Sequence, residues 1–104
     1  VDDLWETFLA VALPLGEVRE QRSRYADKPA VYLGAREIAH CEAPGHIDLR
    51  ITRKAWVAMR DEWSNDHNVL VRPGRRDWIE LRPSTVADVV KLTPLIAAAV
   101  AANR

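Results

Sequence analysis

Two imidazoles and two carboxylates bracket one turn: His40 and Glu42 precede Ala43-Pro44-Gly45, and His46 and Asp48 follow it. If Arg36 to Glu42 and His46 to Ile51 are the strands of a hairpin, with Gly45 at the loop position that favours positive φ, alternation gathers these side chains on one face. Pairing Glu42 with His46 sets His40 opposite Asp48 and Ile38 opposite Arg50. Cys41 then meets Ile47, and Ala39 meets Leu49, on an apolar face. A slip of one residue would exchange the two faces. A carboxylate beside an imidazole holds one tautomer and raises its basicity, which suits a general base or a group that orients a ligand. The plainer reading is a cross-strand polar pair on a half-solvated face. His46 and Glu42 would extend the pair toward a metal, but two-residue steps along strands spread the four groups apart. No metal and no cofactor are therefore expected.

The other reactive side chains offer less. Cys41 is the only cysteine, so there is no intrachain disulfide and no paired-cysteine metal spacing. Alternation points it into the core, where a lone thiol is a small hydrophobe, while the adjacent His40 points away. Ser64 and Ser84 fall at helix ends and read as caps or turn formers. No Gly-x-Ser-x-Gly elbow, phosphate loop or dinucleotide fingerprint occurs. Arg72, Arg75 and Arg76 form a basic cluster at a hairpin tip. It could contact an anion or an RNA phosphate, and the plainer reading, which weighs more, is a solvated turn partly neutralised by Asp77. Trp78 stands out, because parity places it away from the core, where an aromatic implies a second layer, a ligand or a subunit contact. The candidate ligand or partner face is thus His40, His46, Asp48, Arg50 and Trp78, with His40 and Asp48 the catalytic candidates.

The elements that must position these residues follow from periodicity. Residues 2–13 carry Leu4, Phe8 and Val11 on one helical stripe, open with Asp2 and Asp3, and stop at Pro14 and Gly16. Glu17 to Tyr25 reads as an exposed strand, Ala26-Asp27-Lys28-Pro29 as a turn, and Ala30 to Leu33 as a short strand. After the first hairpin, Thr52 caps a helix through Trp63, with Trp56, Met59 and Trp63 at helical spacing. His67 to Arg72 and Asp77 to Arg82 form a second hairpin. Pairing Arg72 with Asp77 would turn Leu70 and Ile79 inward and leave Val69, Val71, Trp78 and Glu80 on the other face. Thr85 and Asp88 have capping-box spacing for a last helix, which Pro94 must kink or divide.

Composition bounds the object. A chain of 104 residues makes a single α+β domain over 1–104, with 48% hydrophobic residues to fill one core. Formal net charge is zero, from 15 basic and 15 acidic residues, which argues against a nucleic-acid partner held by overall charge and is compatible with self-association. No run approaches the roughly 20 apolar residues of a membrane span. A single thiol and the lack of a visible signal peptide point to the cytoplasm, and Val at position 1 to a processed or trimmed chain. Twelve arginines against three lysines hint at a high-GC bacterial genome.

With these segments in place, the chain resembles a family of small, mostly bacterial proteins labelled luciferase domain or luciferase family protein. The family's Gly-Arg-Glu-Ile-(Gly/Ala)-His segment is matched at Gly34, Arg36, Glu37, Ile38, Ala39 and His40, with Ala35 intervening. A His-rich turn before a Val-Leu strand is matched at His67, Val69 and Leu70, and a later Trp strand and acidic helix start at Trp78, Ser84 and Asp88. Asn68 stands where the family has a second His, and Asp77 rather than Gly precedes Trp78. The match spans roughly 17–103. The resemblance implies no settled activity, and the label does not imply light emission: a flavin luciferase of barrel type is far longer.

The expectation is therefore an antiparallel sheet built from two hairpins, with helices on one face, in the order α-β-β-β-β-α-β-β-α. Its open face would serve a small-molecule ligand or a second copy of the chain in a homodimer. The alternative is a small enzyme with His40 as general base, oriented by Asp48.

Overall fold

The computed structural model describes residues 2–25 and 27–104; Ala26, within the expected turn, and Val1 lie outside them. Asp2 accepts hydrogen bonds from the backbone N–H groups of Leu4 and Trp5, both at 3.1 Å, and so starts α1 (Asp3–Ala12). A single 3-10 turn at Leu13–Leu15 ends it. Four strands follow, β1 (Val18–Arg22), β2 (Pro29–Leu33), β3 (Arg36–Ala43) and β4 (His46–Arg50). Then come α2 (Arg53–Trp63), the short β5 (Val69–Leu70), β6 (Trp78–Leu81), α3 (Val86–Lys91) and α4 (Thr93–Ala102). The strands form one antiparallel sheet in the order β1-β2-β3-β4-β6-β5. This is the expected α+β architecture, with the last helix divided at Leu92. Pro94 sits in the first turn of α4, where its missing N–H has no intrahelical acceptor to lose.

One core lies between the sheet and the helices. Val31, Ala39, Cys41, Ile47, Leu49, Ile79 and Leu81 supply the sheet side. Trp5, Phe8, Trp56, Trp63, Val89, Leu95 and Ile96 supply the helix side, with Trp5 stacked on Phe8 at 5.1 Å between ring centroids. The Trp5 indole N–H also donates to Glu20 at 3.0 Å, which ties α1 to the edge strand.

The register of the first hairpin is the expected one along its length: His40 faces Asp48, Cys41 faces Ile47 and Ala39 faces Leu49. Its mouth differs. Ala43, not Glu42, opposes His46, so Glu42 is an extra residue bulged out of β3. A second irregularity lies on the other side of β3, where Val31 pairs with Ala39 and Tyr32 with Glu37, leaving Ile38 unpaired. That bulge corrects the parity expected from sequence: Ile38 turns into the core, at 2% exposure, and Glu37 takes its place on the open face. At the turn itself, Gly45 has φ +74°, and a Cβ there would sit 3.1 Å from the carbonyl oxygen of Pro83, so glycine is required twice over.

The second hairpin also departs by one residue. Val69 pairs with Leu81 and Leu70 with Glu80, because the connection occupies residues 71–77 instead of a tight four-residue turn. Val69 is consequently buried and Leu70 exposed, the reverse of the expectation.

Thr52 joins the two halves under strain. Its side chain caps α2 by accepting from the Ala55 N–H at 3.3 Å, yet its backbone has φ +73° and ψ 148°, a region that β-branched residues avoid. Its N–H donates to the Asp77 carbonyl, and the Asp77 carboxylate accepts from the Arg53 N–H at 2.9 Å, which holds the junction against β6. Thr52→Ala loses the cap and keeps the strain, and should cost about 1 kcal/mol in denaturant unfolding. Thr52→Gly loses the cap but relieves the backbone, and should stay within about 1 kcal/mol of the parent. An alanine variant as stable as the glycine variant would show that the junction is unstrained.

Candidate functional site

The open face of the sheet carries a row of ionisable side chains that pass from strand to strand. His40 on β3 stands beside Asp48 on β4, and Asp48 beside Glu80 on β6. Both carboxylates are buried, with side chains only 6% exposed. Like charges directly opposite in a sheet repel. Here they are surrounded by donors. His40 Nε2 lies 2.9 Å from Asp48 Oδ2, and His46 Nε2 lies 3.0 Å from Asp48 Oδ1 and 3.3 Å from Glu80 Oε1. Arg75 approaches Asp48 at 3.4 Å, while Arg72 and Arg82 grip Glu80 at 2.9 and 2.8 Å.

His40 is engaged from both sides. Its Nδ1 lies 3.3 Å from Glu37 Oε2, and its Nε2 lies 3.0 Å from Glu42 Oε2 as well as near Asp48. Glu42 lies two residues along β3 from His40, unpaired at the bulge, and its side chain reaches the imidazole. The donors therefore converge where the sequence spreads them. His40, Glu42 and Asp48 form one triplet of metal-ligand types within 4.8 Å, and His46, Asp48 and Glu80 form a second. Lys28 holds the other oxygen of Glu42 at 2.6 Å. The second oxygen of Glu37 is buried without a hydrogen-bond partner.

The electrostatics follow from these neighbours. The Asp48 hydrogen bond, against the opposing effect of burial, raises the pKa of His40 above its ordinary value, with Glu37 and Glu42 adding to the rise. Burial pushes the Asp48 carboxyl up, but the His40 bond, Arg75 and His46 outweigh it and bring it down to about 2. Glu80 is also buried, yet Arg72 and Arg82 hold it below its usual range, and Lys28 does the same for Glu42. Cys41 is raised to about 12 by burial and by Asp2, so its thiol is inert, as its core position implies.

Trp78 and Arg50 lie one step along the same face, opposite each other on β6 and β4. The Trp78 ring sits 5.8 Å from the His40 ring and 5.5 Å below the Arg75 guanidinium. It also forms a wall of two clefts. One, of about 700 Å³, is lined by Arg36, Glu37, Arg50, Asn103 and Arg104 among others. The other, of about 340 Å³, is lined by Arg53, Arg60, Arg72, Arg75 and Arg76 with Trp56. Eight of the twelve arginines thus surround one tryptophan. Arg50 is partly committed elsewhere: it bonds Asn103 and approaches Asp77 at 3.4 Å, and Asn103 returns a bond to the Arg50 carbonyl at 2.7 Å.

All five residues singled out from sequence, His40, His46, Asp48, Arg50 and Trp78, share the open face of the sheet. His40 packs behind Trp78 without lining either cleft. Glu37 and Glu80 were not singled out. A bulge hides the first. Parity placed the second correctly, but nothing in the sequence shows that β6 pairs with β4. No family model, curated protein or solved structure matches the chain.

The His40–Asp48 contact has a pH signature. A raised folded pKa makes the imidazole stabilising below its ordinary 6.5, and that contribution fades as pH climbs through the folded value. The depressed Asp48 stabilises above its ordinary 3.8 and loses this as pH falls toward 2. The pair is thus most stabilising between the two ordinary values. NMR titration of chelator-treated protein should find His40 above 6.5, and Asp48→Asn should lower it. An unchanged titration in that variant would dissolve the coupling.

Proposed function

We propose that this domain binds a small anionic ligand carrying a planar ring, with Trp78 as the stacking surface and the surrounding guanidinium groups as anion donors. The observation that carries the reading is the arginine distribution. A chain of zero net charge places eight of its twelve arginines around two clefts that share one tryptophan wall. In the smaller cleft, Arg53, Arg60 and Arg76 have no ion-pair partner among the described residues, whereas Glu80 and Asp48 already hold Arg72 and Arg75. Unpaired guanidinium groups beside an aromatic suit phosphate or carboxylate together with a ring. Both cleft volumes fall within the range of ordinary small-molecule sites.

On its sequence resemblance we place the chain among the small bacterial luciferase-domain proteins, working in the cytoplasm. The homodimer expected from the same face has less support, because Ile38 and Val69 are buried in the core. It would rest on Trp78, Leu70 and Val71. The enzyme reading, with His40 as general base, is weaker still. Both ring nitrogens are engaged by carboxylates, and these favour the imidazolium, which has no lone pair with which to accept a proton.

Calorimetry with AMP, adenosine and pyrophosphate tests the reading by separating ring from charge. AMP should bind more tightly than either fragment, weaken with salt, and lose about tenfold or more in Trp78→Ala and in Arg53→Gln. No heat with AMP, or affinity indifferent to Trp78, would end the proposal. A separate expectation concerns the family label. Purified protein should be colourless and dark with common luciferins, since neither cleft encloses an excited product away from water. Turnover above background would reverse that.

A further inference from the structure

The triplet at the β3 bulge poses a chemical problem that the anion clefts do not address. His40 directs Nδ1 at Glu37, a buried carboxylate, and donates there. Its Nε2 faces two carboxylate oxygens, Asp48 Oδ2 at 2.9 Å and Glu42 Oε2 at 3.0 Å. Positive charge must stand between them, either as the second ring proton of the imidazolium that these carboxylates favour or as a metal ion that replaces it and meets the Nε2 lone pair. A proton on Nε2 can be directed well at only one of the two oxygens. A metal ion satisfies both oxygens and the nitrogen.

We propose that His40 Nε2, Glu42 Oε2 and Asp48 Oδ2 form a binding site for one divalent transition-metal ion. The two distances from Nε2 fit, since adjacent ligands at right angles around an ion with bonds of about 2.1 Å stand about 3 Å apart. One imidazole with two carboxylates suits manganese, iron or zinc, with the remaining positions left to water. Glu37 supplies the outer support typical of metal-bound histidine, accepting the opposite ring N–H and fixing the ring's orientation. Its other oxygen is buried without a partner, so a polar group is already held out of water in support of this imidazole.

The nearby cations differ in what they ask of the ion. Lys28 takes Glu42 Oε1 and leaves Oε2 turned to His40. Arg75 Nη1 approaches the proposed ligand oxygen itself, Asp48 Oδ2, at 3.4 Å, a long contact that the ion would displace. The neighbouring triplet of His46, Asp48 and Glu80 is a poorer site, because two guanidinium groups saturate Glu80 and His46 already shares Asp48. One ion per chain is the consequence. The inference stands apart from the anion-binding reading and does not need it.

The test uses chelator-treated whole protein and manganese, with free ion counted by its electron paramagnetic resonance signal. The expected result is one bound ion per chain at sub-millimolar affinity, and at least about tenfold weaker binding in Glu42→Gln. Glu42 is partly exposed in the bulge, so that variant should fold, and circular dichroism checks it. Zinc should shift the ring resonances of His40 and leave those of the exposed His67 unchanged. Lack of manganese or zinc binding up to millimolar concentration, or binding unchanged in folded Glu42→Gln, would overturn the proposal. Loss of binding in Glu80→Gln with Glu42→Gln unaffected would also overturn it, by moving the ion to the other triplet.

Discussion

Asp48 and Glu80 stand opposite each other where β4 pairs with β6, both carboxylates nearly out of water. Left alone, two such charges would cost several kcal/mol in desolvation and repulsion. Much of the open face can be understood as their compensation. His40 and His46 come from the flanking hairpin, Arg82 from the end of β6, and Arg72 and Arg75 from the connection between β5 and β6. That connection is longer than a tight hairpin turn, and its length lets two guanidinium groups fold back over the carboxylates. The same connection moves β5 by one residue and so decides that Val69, not Leu70, enters the core.

Compensation and the clefts therefore share side chains. Arg75 touches Asp48, lies over Trp78 and lines the smaller cleft. An anion drawn to it competes with Asp48, and a second positive charge near Asp48 loosens its hold on Arg75. The clefts and the ionic cluster are thus electrostatically linked through two guanidinium groups, Arg75 on Asp48 and Arg72 on Glu80, while of the cluster's carboxylates and imidazoles Glu37 alone lines either cleft.

Element types were readable because their patterns are local. Asp2 before a helical stripe, Thr52 three residues before Ala55, and Thr85 with Asp88 in a capping box each act over three or four residues, and each is present as expected. The His40–Asp48 pairing was readable for a related reason: it depends on a short turn whose glycine requirement is visible. The rest depended on β3 being longer than its partners. Ile38 and Glu42 are the two residues it cannot pair, and no residue type announces a bulge of either kind. One bulge sent Ile38 inward and brought Glu37 out; the other left Glu42 unpaired. Contact between β4 and β6 was hidden differently, since it joins segments separated by a helix and a loop.

Helix α1 packs against α3 and α4, at the opposite end of the sequence. Trp5, Phe8 and Leu9 have their places only when Val89, Leu95 and Ile96 are there to meet them. During synthesis the first helix therefore waits, its aromatic face without these partners, until α3 and α4 have left the ribosome. The sheet can zip up strand by strand from short-range contacts, but its inner face stays uncovered over that interval. A chain built in this way completes its fold as a late, single closure, and that is when it is most open to capture by a chaperone or by another unfinished copy.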